Sequence, residues 1–365
     1  MTERALFHPA SLKARLRPAS YWLVFTVPAT MPLAWYLVET TGNFLWTMLP
    51  LVWLYAILPM TDWLVGRDSG APVASQDVWL NRRLIPWLCL PIQLLLIGWA
   101  LTKLDYMPIW AQALWIFSLG YIGGMLAINV AHELIHRRNR LDRVIGGLLL
   151  CSVNYVTFKI EHVRGHHVWV ATERDPSTAR RGESIYRFLP RAMITNTING
   201  WKLEAVRMRR IGQPVISLKN EMIGWHAVIL LMMIAAYALA GWIGVLAFLV
   251  QGLIAAASLE IINYVEHYGL RRKQLDNGRY ERPTPMHSWN SDFWISNGIL
   301  LQLQRHSDHH ANPSRPFTQL RSWPEAPQLP LGYSAMLPMA LIPPLWRRVM
   351  HPRLDRYQSS TQSAS

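Results

Sequence analysis

The chain has 365 residues, of which 51% are hydrophobic and 16% charged, and carries a formal net charge of +14. So low a charged fraction, against ~25% in soluble proteins, with the apolar residues gathered into long uncharged runs, excludes an ordinary aqueous globule and points to membrane spans. The Lys and Arg excess falls mostly outside those runs, at the edges where positive charge sets orientation, which argues against nucleic acid as the partner.

In chain order, Arg4, Lys13, Arg15 and Arg17 precede an apolar stretch that contains Pro28 and Pro32 and ends at Glu39. No small-residue cleavage site follows, so an uncleaved first span is expected rather than a signal peptide. Six segments can cross a hydrocarbon core of about 30 Å, which takes about 20 helical residues: 21–38, 44–60, 85–101, 109–130, 223–240 and 241–262. The last two share one uncharged stretch, with the turn expected at Ala240-Gly241-Trp242-Ile243-Gly244.

The loops between spans one and two and between five and six lack Lys and Arg, and the loop after span three has only Lys103. The other side holds the basic N-terminus, then Arg67, Arg82 and Arg83, then Arg137, Arg138, Arg140 and Arg143. The positive-inside rule puts both termini in the cytoplasm, leaving about 131–222 and 263–358 as cytoplasmic regions. Segment 144–158 is apolar but short, and is read as interfacial or partly buried. Segment 336–346, broken by Pro338, Pro343 and Pro344, is placed at the membrane surface, and the Ser-rich tail 359–365 is expected to be disordered. No internal repeat is evident, so 1–365 reads as a single membrane-embedded, all-α domain.

Thirteen histidines are present. His132 and His136 lie in HELIH at the end of span four, where a spacing of four puts both rings on one helix face. His162, His166 and His167 form HVRGHH, His267 stands in NYVEHYG at the end of span six, and His306, His309 and His310 form HSDHH. His8, His226, His287 and His351 stand apart and are read as structural or surface residues. A single zinc takes three or four protein ligands, so nine clustered candidates imply two metals, although imidazole alone does not name the metal. Glu133, Glu161, Glu266 and Asp308 accompany the clusters as candidates for fixing the ligand tautomers from behind. Cys89 and Cys151 form no C-x-x-C pair, so the chain has no iron–sulfur or zinc-ribbon site of its own.

The strings HELIHRR, EHVRGHHVWVATERDP, NYVEHYGLRR and LQRHSDHHANPSR resemble the signature boxes of the alkane 1-monooxygenase family, within the histidine-rich membrane desaturase and hydroxylase group. The likeness runs from about Tyr21 to Leu345 and includes GESIY and HSWNS. The resemblance implies a six-helix membrane domain of a bacterial inner membrane with a cytoplasmic-side helical cap. It implies two irons on His132, His136, His162, His166, His167, His267, His306, His309 and His310. It also implies dioxygen as oxidant, oxidation of medium- to long-chain n-alkanes to primary alcohols, and rubredoxin as electron donor. Two cysteines are too few for the four-thiolate iron site of a fused rubredoxin, so a separate rubredoxin and its reductase are expected.

An alkane offers no acid, base or leaving group, so the chemistry belongs to the cofactor, and the protein is expected to supply an apolar path from the bilayer. Candidate walls are Trp53, Leu54 and Ile57 on span two and Leu259 and Ile262 on span six, with Leu54 at the position that limits chain length in relatives. Three other readings compete. A desaturase or alkyl-aromatic hydroxylase would share the chemistry. An intramembrane zinc protease would use HELIH literally and leave seven clustered histidines idle. A metal transporter would place ligands near the midplane rather than at one face.

Overall fold

The computed structural model describes residues 12–68, 70 and 78–362. Its secondary structure is helical; among the described residues only isolated bridges occur, Arg67 with Phe293, Gln274 with Tyr280 and Asn290 with Gln328.

Among the described residues, five helices are long and apolar enough to cross a membrane: α1 (Leu12–Thr41), α2 (Phe44–Val65), α3 (Leu80–Leu101), α4 (Ile109–Ile135) and α8 (Glu221–His267). Each of the first four extends past the segment read from hydropathy, because a helix continues beyond the apolar core wherever caps and tertiary contacts satisfy its ends. Gly42 ends α1 in the left-handed region at φ 70, and the Asn43 side chain accepts from the Leu45 N–H to start α2 at once. Span four runs on through Ile135, which carries His132 into the helix proper.

The stretch Glu221–His267 is helical on both sides of a kink; unbroken, its 47 residues would span about 70 Å at 1.5 Å per residue, more than twice the apolar core of a bilayer. The helix is interrupted inside the expected turn, where Ala240 (φ −148, ψ 25) and Gly241 (φ 58, ψ −149) leave helical geometry. The positive φ explains a glycine there.

Spans four and six approach closely. A Cβ added to Gly120 would sit 2.6 Å from Ile254 Cβ, and one on Gly123 would meet Val153 Cγ1 at 2.9 Å. Gly124, one turn on from Gly120, faces Ser258 and Ala255. Small residues at this spacing let two membrane helices pack backbone to backbone.

On the polar side, α5 (Arg140–Ser152) lies against α4 and is followed by the short helical run α6 (158–169) and by α7 (Ile185–Arg210). The segment read as interfacial is thus partly a packed helix, with Leu149, Leu150 and Cys151 fully buried. After α8 come α9 (Trp294–Ile299), α10 (His306–Ala311), α11 (Tyr333–Ala340) and α12 (Pro343–Gln362). Helix α12 continues through 359–362, where a disordered tail is expected from composition; 363–365 lie outside the described residues, as does His8. Cys89 and Cys151 are free and buried.

Candidate metal centre

Four segments bring the histidines together. The end of α4 presents His132 and His136, with a π-helical turn over Gly124–Ile128 one turn earlier. In α6 a second π-turn, His162–His166, widens the helix at the HVRGH box itself. His267 closes α8, and α10 supplies His306, His309 and His310. Single π-turns inside helices concentrate at functional sites because the extra residue re-aims side chains.

The nine rings sort into two groups whose donor atoms lie within 4.8 Å of one another: His132, His136, His162, His167 and His309, and His166, His267, His306 and His310. Neighbours in sequence part company. His166 and His167 go to different groups, as do His309 and His310, because successive residues on a helix point about 100° apart. In the first group His167 Nε2 lies 3.0 Å from His162 Nε2 and 3.1 Å from His309 Nε2. In the second, His310 Nε2 lies 2.8 Å from His306 Nε2 and 3.2 Å from His166 Nε2, and His306 Nε2 lies 3.2 Å from that of His267.

Burial favours the uncharged form of several of these rings. Burial, reinforced by His166, pushes His136 down to about 3. Burial and then the neighbouring rings hold His162, His167, His306, His309 and His310 well below the usual imidazole value. A neutral imidazole has one N–H and one lone pair. His166 uses its proton at Nδ1, donating to Asp175 Oδ2 at 3.0 Å, so its Nε2 presents a lone pair to the cluster. The Nε2 atoms of His132 and His136 are buried with no hydrogen-bond partner. Converging buried lone pairs repel one another and gain a partner from a cation at each focus, so the residues fit two metal ions of the kind imidazole prefers. Glu266 adds an oxygen to the second group: its Oε2 lies 3.1 Å from His306 Nε2 and its Oε1 is unpartnered.

The other carboxylates do not all meet the rings. Glu133 is held by Arg137 at 2.9 Å. Asp308 accepts from Arg315, from the Trp323 indole and from the Arg321 backbone, which ties the 306–311 helix to the loop beyond it. Glu161 is buried with Oε1 unpartnered, and burial, then Asp175 and Glu260, push it well above the carboxylate range. Sequence reasoning missed Asp175, whose signal lay in the TERDP end of the second box. Its carboxyl, though buried, is held below the ordinary value by His166 and by the Thr178 hydroxyl. His267 Nδ1 meets Ser288 Oγ at 3.3 Å, a partner inside the HSWNS string. His226 bonds the Met222 carbonyl, His287 meets Glu281 and His351 meets Tyr268, so none of these three joins the cluster.

A mostly apolar cavity of about 70 Å³ has His132 in its wall. Leu54, Leu259 and Ile262 line it, together with Tyr55, Leu58, Tyr121 and Met125. Trp53 and Ile57 do not line it: they fall on the neighbouring helix stripe, Trp53 packed into the core and Ile57 36% exposed. On the polar side a cleft of about 370 Å³ reaches His136 between Arg82, Arg83, Arg137, Arg138 and Arg315.

Comparison with known proteins agrees with this architecture. The family model described as fatty acid desaturase matches residues 108–353. Alkane 1-monooxygenase 2 of Pseudomonas aeruginosa is 42% identical over 95% of this chain and 95% of its own. Alkane 1-monooxygenase 2 of Alcanivorax borkumensis is 43% identical over 93% of this chain and 90% of its own. Alkane 1-monooxygenase 1 of Pseudomonas aeruginosa is 41% identical over 98% and 95%. With relatives 41–43% identical over almost its whole length, this chain belongs to the alkane 1-monooxygenase family.

Proposed function

We propose that this protein is a membrane oxidoreductase that hydroxylates medium- to long-chain n-alkanes at the terminal carbon to primary alcohols. The observation that carries the reading is the junction at His132, one ring that belongs to the first histidine group and also lines the apolar cavity. A chain threaded past Leu54 and Ile262 would present its methyl end there. The nine histidines are proposed as ligands of two irons, with Glu266 beside the second. Bound iron supplies the reductive activation of dioxygen that no side chain can provide. The protein aligns the chain, keeps water from the reacting end and holds the ligand rings in one tautomer. Asp175 does this for His166, and Ser288 is placed to do so for His267.

The interrupted α8 supports six spans, since an even count agrees with basic flanks lying on one side and gives both termini the cytoplasm of a bacterial inner membrane. Segments 131–222 and 263–358 then form the cytoplasmic cap. Arginines around the cleft at His136 favour an acidic electron donor, for which a separate rubredoxin served by a reductase is the proposal.

Purified protein grown with iron is expected to hold about two irons per chain and, with dioxygen, rubredoxin and reductase, to convert an n-alkane to its primary alcohol. One zinc and no iron would overturn the proposal, and so would oxidation only of an alkyl-aromatic or an acyl chain.

A further inference from the structure

A second cavity, of about 580 Å³, lies away from the substrate path on the far side of the HELIH and HVRGH segments. It is enclosed by the end of α4 at Ile135, the start of α5, the α6 run, the 218–220 turn and the first two turns of α8. Five cations line it, Arg140, Arg143, Lys159, Arg164 and Lys219, against the single carboxylate of Glu221. Lys159 and Arg164 are answered by Glu221 at 2.6 and 3.6 Å, and Arg164 also by Glu204 at 3.1 Å. Arg143 donates to the carbonyls of Arg137 and Arg138, which fixes the guanidinium without neutralising it. Among the described residues no carboxylate forms an ion pair with Arg140, Arg143 or Lys219.

Part of the lining is apolar, and it adjoins the ends of two candidate spans. Ile135 is the last residue of one candidate span, and Glu221–Val228 begin another. The approach to the turn leaves Ile216 88% and Leu218 99% exposed, side chains with no reason to face water beside a bilayer-crossing helix. Trp225 and Val228 continue the apolar wall from the cavity up the face of α8. Amphipathic aromatics at this level mark the headgroup zone, and a basic recess between helices there suits a lipid phosphate.

We infer that this cavity binds the headgroup of an anionic phospholipid, its phosphodiester between Arg140, Arg143 and Lys219 and its acyl chains lying along Trp225 and Val228. The bound lipid would brace the backs of the segments that carry His136 and His162, without touching either ring.

The test is native mass spectrometry of the purified full chain titrated with dioleoyl phosphatidylglycerol or dioleoyl phosphatidylcholine. One phosphatidylglycerol is expected to stay bound under conditions that strip phosphatidylcholine. The double variant Arg140→Gln/Lys219→Gln is expected to weaken it about thirtyfold, from roughly five- to sixfold per interfacial cation. The charge-matched variant Arg279→Gln/Arg356→Gln, distant from the cavity, is expected to bind as the parent does. Metal content and melting temperature confirm that both variants fold. Equal retention of the two lipids, or equal weakening in the two variants, would overturn the assignment. Displacement by millimolar inorganic phosphate would also overturn it, by making the recess a site for free anions.

Discussion

Asp175→Asn changes one atom and distinguishes the two metal positions. Oδ2 accepts from His166 Nδ1 at 3.0 Å and from the Thr178 hydroxyl at 2.6 Å, while Oδ1 accepts the Ser177 N–H at 3.1 Å. The Thr178 hydroxyl donates here because a carboxylate oxygen can only accept, while its own oxygen takes the Ala171 N–H at 2.9 Å. An asparagine that keeps its oxygen on Ser177 turns its NH2 toward His166, which must then accept at Nδ1 and carry its proton at Nε2, where a metal ligand needs a lone pair. Turning the amide over instead breaks the bond to Ser177. Losing a carboxylate behind a ligating histidine typically costs about 10- to 100-fold in metal affinity, or about 1.4–2.8 kcal/mol. The loss should fall first on the group containing His166. Equilibrium dialysis against buffered ferrous iron is therefore expected to show about one iron retained at a free concentration where the parent holds two. A variant that keeps both irons with parental affinity would refute the assigned role of Asp175.

Leu54→Trp, which fills the cavity wall, is expected to abolish oxidation of the longest n-alkanes first while leaving iron content unchanged. Ile57→Trp, on the neighbouring stripe, should leave the chain-length profile as it was, and identical profiles for all three proteins in a product assay would count against this path. Gly120→Leu drives a side chain into Ile254 and the Gln251 carbonyl; overpacking of this kind costs roughly 1–3 kcal/mol, read as a lower melting temperature in detergent. For pH, His136 is held at about 3 in the fold against about 6.5 unfolded, so below about 6.5 the unfolded chain takes up protons that the fold refuses. Stability of the metal-free protein should be fully present above that value and fall as pH drops toward 3, with the other depressed rings acting in the same direction. A melting temperature flat between about pH 7.5 and 5 would contradict it.

Much of the site was legible because its information is local. HELIH places two rings on one helix face by spacing alone, and the remaining boxes stand at helix ends that hydropathy locates. The division into two groups was not legible, since it depends on two π-turns and on how α6 and α10 rotate against α4. Glu133 and Asp308 stand beside histidines in sequence, yet Arg137 and Arg315 capture them; Asp175 reaches His166 because the turn after α6 folds back. Hydropathy identifies a span without saying which stripe faces a cavity, so it could not tell that Leu54, Leu259 and Ile262 line one while Trp53 and Ile57 do not. The break at Ala240-Gly241 was legible in place, because a glycine there supplies the positive φ that leaving the helix requires.

The splitting of adjacent residues between the two groups carries a mechanical consequence. His166–His167 and His309–His310 are each joined by a single peptide unit, so whatever fixes one ring also sets the torsions that aim its neighbour. An ion arriving at either focus would spend part of its binding energy aligning both pairs, and its successor would find the remaining rings nearer their final aim. Exchange of the ion at one focus should therefore register at the rings of the other.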